Sequence, residues 1–164
     1  MPYRVGQGVD VHAFGEPQAA SQITLGGVAI PCDRPLLAHS DGDVLLHALC
    51  DALLGAVGQG DIGQHFPDEA AEYADADSRS FVLQVYEAVR QAGYELGNAD
   101  LTIVAQRPKM APYRADMQTE IAKLLACDPT RINVKATTTE HLGFTGRAEG
   151  IACFALVLLV LRAG

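Results

Sequence analysis

Positive charge is scarce in this chain. Twelve lysines and arginines stand against 20 aspartates and glutamates, a formal net charge of −8. Such a balance argues against a nucleic-acid binder, which needs a basic face to meet phosphates. Anionic small molecules stay open wherever local cations or metal ions offset the field. Cysteine is also sparse. Cys32, Cys50, Cys127 and Cys153 are widely scattered and form no C-x-x-C pair, which leaves zinc-ribbon and thioredoxin-like readings without support. Four cysteines in 164 residues do not make a disulfide framework, so four reduced, mostly buried thiols are expected. Long apolar runs are missing too. The longest, Ile151 to Leu161, falls far short of the ~20 residues of a membrane helix. The opening "MPYRVGQGVD" has no signal-peptide core, and a cytosolic protein is expected. No repeat, low-complexity tract or linker divides the chain, so residues 1–164 read as one domain.

What is present has globular character. Hydrophobic residues make up 49% and charged residues 20%, and the length suffices for a real core. Residues 3–12 read as a strand, and "ITLGGVAIP" (23–31) as a hairpin broken at Gly26-Gly27. In "SDGDVLLHALCDALLGAVG", Val44, Leu45, Ala48, Leu49, Ala52 and Leu53 recur at helical spacing. Ser40 reads as its N-cap, with Asp43 three residues on resembling a capping box, and Gly58 as its stop. Residues 60–77 are rich in Gly, Pro and Asp and read as loop. Helices are expected at 79–92, ended by Gly93, and over "PYRADMQTEIAKLLAC". "ELGNADLTIVAQ", "RINVKATTT" and "GIACFALVLLVLR" read as strands, the last apolar on both faces and hence central. Strands alternating with helices predict an α/β or α+β sandwich, with helices packed on a mixed sheet.

Within the first strand, "GVDVHAF" sets a carboxylate and an imidazole two positions apart among apolar residues. Residues i and i+2 of a strand share a face, so Asp10 and His12 can converge on one ion. His47 of the first long helix offers a third ligand, flanked by Asp43, Cys50 and Asp51. Two histidines and an aspartate with an open fourth position match a catalytic Zn²⁺. Asp43 or Asp51, one turn either side of His47, could hold its second ring nitrogen. A half-buried hydrogen-bonded pair at Asp10/His12 and a core histidine at position 47 fit the same residues. Elsewhere, His39-Ser40 precedes a helix start, where free N–H groups favour phosphate. "KATTTEHLGFTGR" (135–147) offers threonine hydroxyls in a Gly-framed bend, and Glu140 could hold a hard cation such as Mg²⁺. "RPKMAPY" adds Lys109 in a stiff loop, an anion contact or simply a solvated lysine.

In combination and order, "DVHAF", "LLAHSDGDVLLHALCDALLGA", "GDIGQHFPD", "RPKMAP" and "KATTTEHLGFTGRAEGIA" resemble the motifs of the 2-C-methyl-D-erythritol 2,4-cyclodiphosphate synthase family across essentially the whole chain. The resemblance implies an α/β (α+β) sandwich, a mixed β-sheet with helices on one face. It also implies a homotrimer whose sheets line the central axis, with active sites between subunits. The implied enzyme is a phosphorus–oxygen lyase of the non-mevalonate isoprenoid pathway. Its substrate is 4-diphosphocytidyl-2-C-methyl-D-erythritol 2-phosphate, whose 2-phosphate attacks the β-phosphate and releases CMP.

Matched by motif, the resemblance makes Asp10, His12 and His47 Zn²⁺ ligands. It makes His39 and Thr138 transition-state stabilisers, with His39 and Ser40 on the substrate's phosphate and erythritol. Asp61, Ile62 and Gly63 would hold the methylerythritol, beside Phe66, Pro67, Asp68, Glu69 and Ala70. Ala105, Gln106, Arg107, Pro108, Lys109, Met110 and Ala111 would shape the cytidine pocket. Thr137, Thr138, Thr139 and Glu140 would hold the CDP phosphates, with Glu140 on Mg²⁺ or Mn²⁺. Phe144 and Arg147 would lie near the phosphates and the trimer's central cavity. His141, where the family more usually has Lys or Gly, and Ala148, in place of a common Gly, depart from the pattern. Two other classes fit the residues before the resemblance is weighed: a zinc-dependent phosphate-ester hydrolase, and a small trimeric metal- or ligand-binding regulator.

Overall fold

A computed structural model describes residues 1–19, 21–67 and 75–162. Asp68, Glu69 and Ala70 therefore lie outside the described residues. Six strands are seen: β1 (Tyr3–Ala13), β2 (Gln22–Leu25), β3 (Val28–Pro31), β4 (Tyr94–Val104), β5 (Ile132–Thr137) and β6 (Gly150–Leu161). The helices are α1 (Val44–Val57), α2 (Ile62–His65), α3 (Ser78–Gln91), α4 (Arg114–Leu124) and α5 (Gly143–Gly146). The main sheet has the order β1-β6-β4-β5. It is mixed: β6 runs antiparallel to both β1 and β4, while β5 runs parallel to β4. The apolar β6 is thus an inner strand, as its composition implies. The β2–β3 hairpin stands apart from this sheet. Its turn places Gly26 and Gly27 at φ +58° and +76°, the left-handed pair that a tight hairpin needs.

The position of α1 follows from β1's alternation. Gly6, Gly8, Asp10 and His12 fall on the strand's inner, more buried face, whereas Tyr3, Val5, Val9 and Val11 face outward and are exposed. A Cβ on Gly6 or Gly8 would come within 1.9 Å of the Ala52 or Ala48 carbonyl oxygen. The two glycines therefore let α1 lie directly on the strand backbone, opposite its small residues Ala48, Ala52 and Ala56. Leu45, Leu46, Leu49, Leu53 and Leu54 fill the core around this contact with no exposed surface. On the sheet's other side, Val5, Val9, Val11, Phe154 and Leu156 leave an open apolar face. No helix among the described residues is long and apolar enough to cross a membrane.

Two sequence expectations need correction. The N-cap of α1 is Asp43, not Ser40. Gly42 sits at φ +73°, outside the helical region, so the helix cannot begin before it. Asp43 accepts the Leu46 N–H at 3.0 Å and the Gly26 and Gly27 N–H groups at 2.8 Å each, tying the hairpin turn to the start of α1. Burial pushes its carboxyl up to about 6 despite these backbone donors. The stretch 60–77, expected as loop, contains the single-turn helix α2. Asp61 caps it, and the Asp51 carboxylate accepts the Ile62 N–H at 2.7 Å.

Candidate active site

Asp10 and His12, two residues apart on the inner face of β1, meet His47 from α1. The Asp10 Oδ2 atom lies 3.2 Å from His12 Nε2 and 3.1 Å from His47 Nδ1. One donor atom from each of the three side chains lies within 4.8 Å of the others. The imidazoles stand edge-on, 5.2 Å apart at 62°. Two imidazole nitrogens and a carboxylate, clustered on a rigid strand and helix, are a donor set suited to Zn²⁺.

The electrostatics agree with a cation-binding cluster. Burial alone would push the Asp10 carboxyl up, but hydrogen bonds and charge from His12 and His47 carry it far below the usual carboxylate range. Burial alone would push His47 down, yet Asp10 raises it above an ordinary histidine. Each group favours its charged form because the other is charged.

The outer contacts of His47 differ from expectation. Neither Asp43 nor Asp51 bonds its ring; Asp43 is committed to backbone N–H groups and Asp51 to Ile62. Instead His47 Nε2 lies 2.8 Å from the Ser78 hydroxyl and 3.2 Å from the Ser40 hydroxyl. Ser78 in turn donates to Asp41. Sequence reasoning missed Ser78 and Asp41. The only signal for Ser78 was its place at the start of a predicted helix.

These three side chains wall a cavity of about 400 Å³, whose lining includes Asp10, His12, His39, Ser40, His47, Ile62 and Phe66 together with the unpredicted Leu37 and Phe81. Phe66 and Phe81 stack at 4.4 Å and supply an apolar wall. His39 and Ser40 reach this cavity from a loop, not from the N-terminus of α1, which Asp43 occupies. Asp61 and Gly63 sit on the exposed α2 turn, and Pro67 is exposed just beyond it.

A second cavity, of about 200 Å³, gathers Ala105, Gln106, Pro108, Lys109, Met110, Ala111, Thr137 and Thr138. It shares no lining residue with the first. Within one chain, His39 and Thr138 thus belong to different cavities. Glu140, at φ +52°, donates its N–H to the Thr138 hydroxyl at 3.2 Å. Thr139 donates its hydroxyl to the Leu142 carbonyl at 2.6 Å, inside its own loop. Arg107 and Arg147 line a third cavity with Gln106, and Arg147 pairs with Glu149 at 2.7 Å. Phe144 is exposed.

Residues 3–160 match the model of the YgbB family. The 2-C-methyl-D-erythritol 2,4-cyclodiphosphate synthase of Cellvibrio japonicus is 61% identical over 162 residues, 99% of this chain and 100% of that one. IspF of Plasmodium falciparum, solved as a CDP complex, superposes with a TM-score of 0.86 at 35% identity, covering 99% of this chain and 98% of that one. The bifunctional IspDF of Campylobacter jejuni superposes with a TM-score of 0.92 at 48% identity; the match covers 98% of this chain but 42% of the bifunctional chain.

Proposed function

The chain belongs to the YgbB family, that of the 2-C-methyl-D-erythritol 2,4-cyclodiphosphate synthases, and on that premise we propose that it cyclises 4-diphosphocytidyl-2-C-methyl-D-erythritol 2-phosphate with release of CMP. A P–O bond forms between the substrate's 2-phosphate and its β-phosphorus. The bond from the β-phosphorus to the bridging oxygen breaks, and CMP leaves with the electron pair. The observation that carries this reading is the convergence of Asp10, His12 and His47 on a cavity that His39 and Ser40 also line.

No protein nucleophile is needed, so the chain's task is to position two anions and stabilise charge. Asp10, His12 and His47 hold Zn²⁺, which when bound supplies Lewis-acid polarisation of a phosphate oxygen. Glu140 holds Mg²⁺ or Mn²⁺ on the diphosphate side. Ile62 and the Phe66–Phe81 wall hold the methylerythritol, with Asp61 and Gly63 at the mouth and Pro67 beside it. His39 and Thr138 stabilise charge on the phosphate under attack. Residues 105–111 close round the cytidine, and Thr137, Thr138 and Thr139 hold its phosphates beside Phe144 and Arg147.

This assignment spans three cavities of one chain, and a homotrimer with sites between subunits brings the first two together. One copy presents His39 and the metal ligands, and its neighbour presents Thr138 and the cytidine pocket. The exposed apolar row Val5, Val9, Val11, Phe154 and Leu156 on the open sheet face supports such an assembly around a central axis. A cytoplasmic location accords with this reading. Incubating the protein with Mg²⁺ and the CDP-linked substrate should yield CMP and the cyclic diphosphate in equal amounts. Free phosphate, or CMP without the ring, would point to a hydrolase and overturn the reading.

A further inference from the structure

Two polar side chains behind the metal ligands have no part in the chemistry above. Ser78, the first residue of α3, has no exposed surface. Its backbone N–H donates to Asp41 Oδ2 at 3.0 Å, and its hydroxyl donates to Asp41 Oδ1. The same hydroxyl oxygen lies 2.8 Å from His47 Nε2.

We propose that Asp41 and Ser78 are positioning residues that fix the tautomer and orientation of the His47 ring, so that Nδ1 presents its lone pair to the metal. The inference rests on reading Asp10, His12 and His47 as a metal centre.

The argument is one of proton counting. A carboxylate only accepts, so the single hydroxyl proton of Ser78 goes to Asp41. The Ser78 oxygen then faces His47 with lone pairs, and Nε2 must carry the hydrogen between them. Ser40 Oγ, 3.2 Å from the same nitrogen, serves as a weaker second acceptor. The opposite tautomer would make Ser78 donate to His47 and leave a carboxylate oxygen of Asp41 without its hydroxyl donor. With Nε2 protonated, a neutral His47 turns a lone pair toward Asp10 Oδ2, 3.1 Å away. Two acceptors at that distance repel unless a proton or a metal ion lies between them. His12 offers the contrast: its Nδ1 is buried without a hydrogen-bond partner among the described residues, so nothing there sets its tautomer. His47 is the anchored ligand of the pair. Outer partners of this kind tune metal affinity by about 10–100-fold.

The test uses the full-length protein and zinc alone, read by competition with a chelator. Ser78→Ala should weaken zinc binding by about 10–100-fold while the zinc-free protein keeps its secondary structure. Asp41→Ala should weaken it too, but should add little once Ser78→Ala is present, because Asp41 acts through Ser78. In the unmodified zinc-loaded protein, ¹⁵N NMR of the His47 ring should show a proton on Nε2 and the metal on Nδ1. A ring bound through Nε2, or Ser78→Ala binding zinc as tightly as the parent, overturns the relay and leaves the metal centre standing. A parent protein that binds no zinc overturns the metal centre itself. If Ser78→Ala does not fold, the ring spectrum of the unmodified protein decides.

Discussion

Gly8 of β1 lies against Ala48 of α1 so closely that a Cβ on Gly8 would stand 1.9 Å from the Ala48 carbonyl oxygen and 2.7 Å from the Ala52 amide nitrogen. Both obstacles are backbone, so the helix itself would have to move. Asp10 lies two residues along that strand and His47 beside Ala48 on that helix. Gly8→Ala should therefore cost about 1–3 kcal/mol of stability and weaken zinc binding as the ligands part. Gly55→Ala is the control. Gly55 is exposed within α1, and a Cβ there meets only the Gln7 carbonyl oxygen at 3.9 Å. That substitution should stabilise by about 0.5–1 kcal/mol. Thermal unfolding of both variants checks the contrast; equal effects would refute the close-packing argument.

The raised His47 and depressed Asp10 set a pH dependence with a definite sign. In metal-free protein, the Asp10 contribution is present above its ordinary value of 3.8 and lost as pH falls through its much lower folded value. The His47 contribution is full below 6.5 and lost as pH rises through its raised folded value. The pair thus stabilises the metal-free protein most between these limits. Zinc must displace the His47 proton, so its affinity should fall by about tenfold per pH unit as the pH is lowered, the fall setting in above 6.5 rather than below it. Chelator competition across this range measures the onset. An onset only below 6.5 would contradict the coupling.

His47→Ala should remove zinc and turnover while leaving the apparent mass in solution unchanged. His47 belongs to the helix-facing side of the sheet, remote from the open apolar face formed by Val5, Val9, Val11, Phe154 and Leu156. Zinc content and light scattering on the same sample decide it. Full metal retention would remove His47 from the ligand set.

Cys50→Ala should leave turnover largely intact. Cys50 and Cys153 are wholly buried, and burial pushes both thiols well above their ordinary range. Neither has an activating cation beside it, so neither is a nucleophile. The expected cost is about 1 kcal/mol of stability from the small cavity left behind. A folded, zinc-loaded variant without activity would show that the thiol takes part.

What could be read from the sequence follows the range of the interaction. The Asp10/His12 pair was legible because a strand alternates with period two, and residues 6, 8, 10 and 12 all obey it. The hairpin was legible because Gly26-Gly27 is a local turn signal. The cap of α1 was misread because Ser40, Asp41 and Asp43 are all capping residues, and only the left-handed Gly42 decides among them. The single turn of α2 depends on Asp51, eleven residues upstream of the amide it holds. The Asp41–Ser78 contact joins two loop–helix junctions 37 residues apart. No local pattern announces a hydrogen bond of that reach. Nor does one chain's sequence pattern reveal that His39 and Thr138 line separate cavities.

Ala148 departs from the glycine common in the family pattern, and the structure gives that departure an energetic meaning. Its φ is +54°, a left-handed conformation that costs a residue bearing a Cβ about 1–2 kcal/mol. The backbone is held there from both sides: the Ala148 N–H donates to the Thr145 carbonyl at 3.0 Å, and its carbonyl accepts from Arg34 at 3.1 Å. Glycine would keep both bonds and lose the strain. Ala148→Gly should therefore raise stability by about 0.5–1 kcal/mol, after the greater freedom of glycine in the unfolded chain is counted. Gly143→Ala is the converse case. Gly143 sits at φ +67° with open space where a Cβ would stand, so no clash adds to the backbone strain. That variant should lose about 1 kcal/mol. Denaturant midpoints of the pair should move in opposite directions, and a shift of both the same way would show that something other than φ governs this loop.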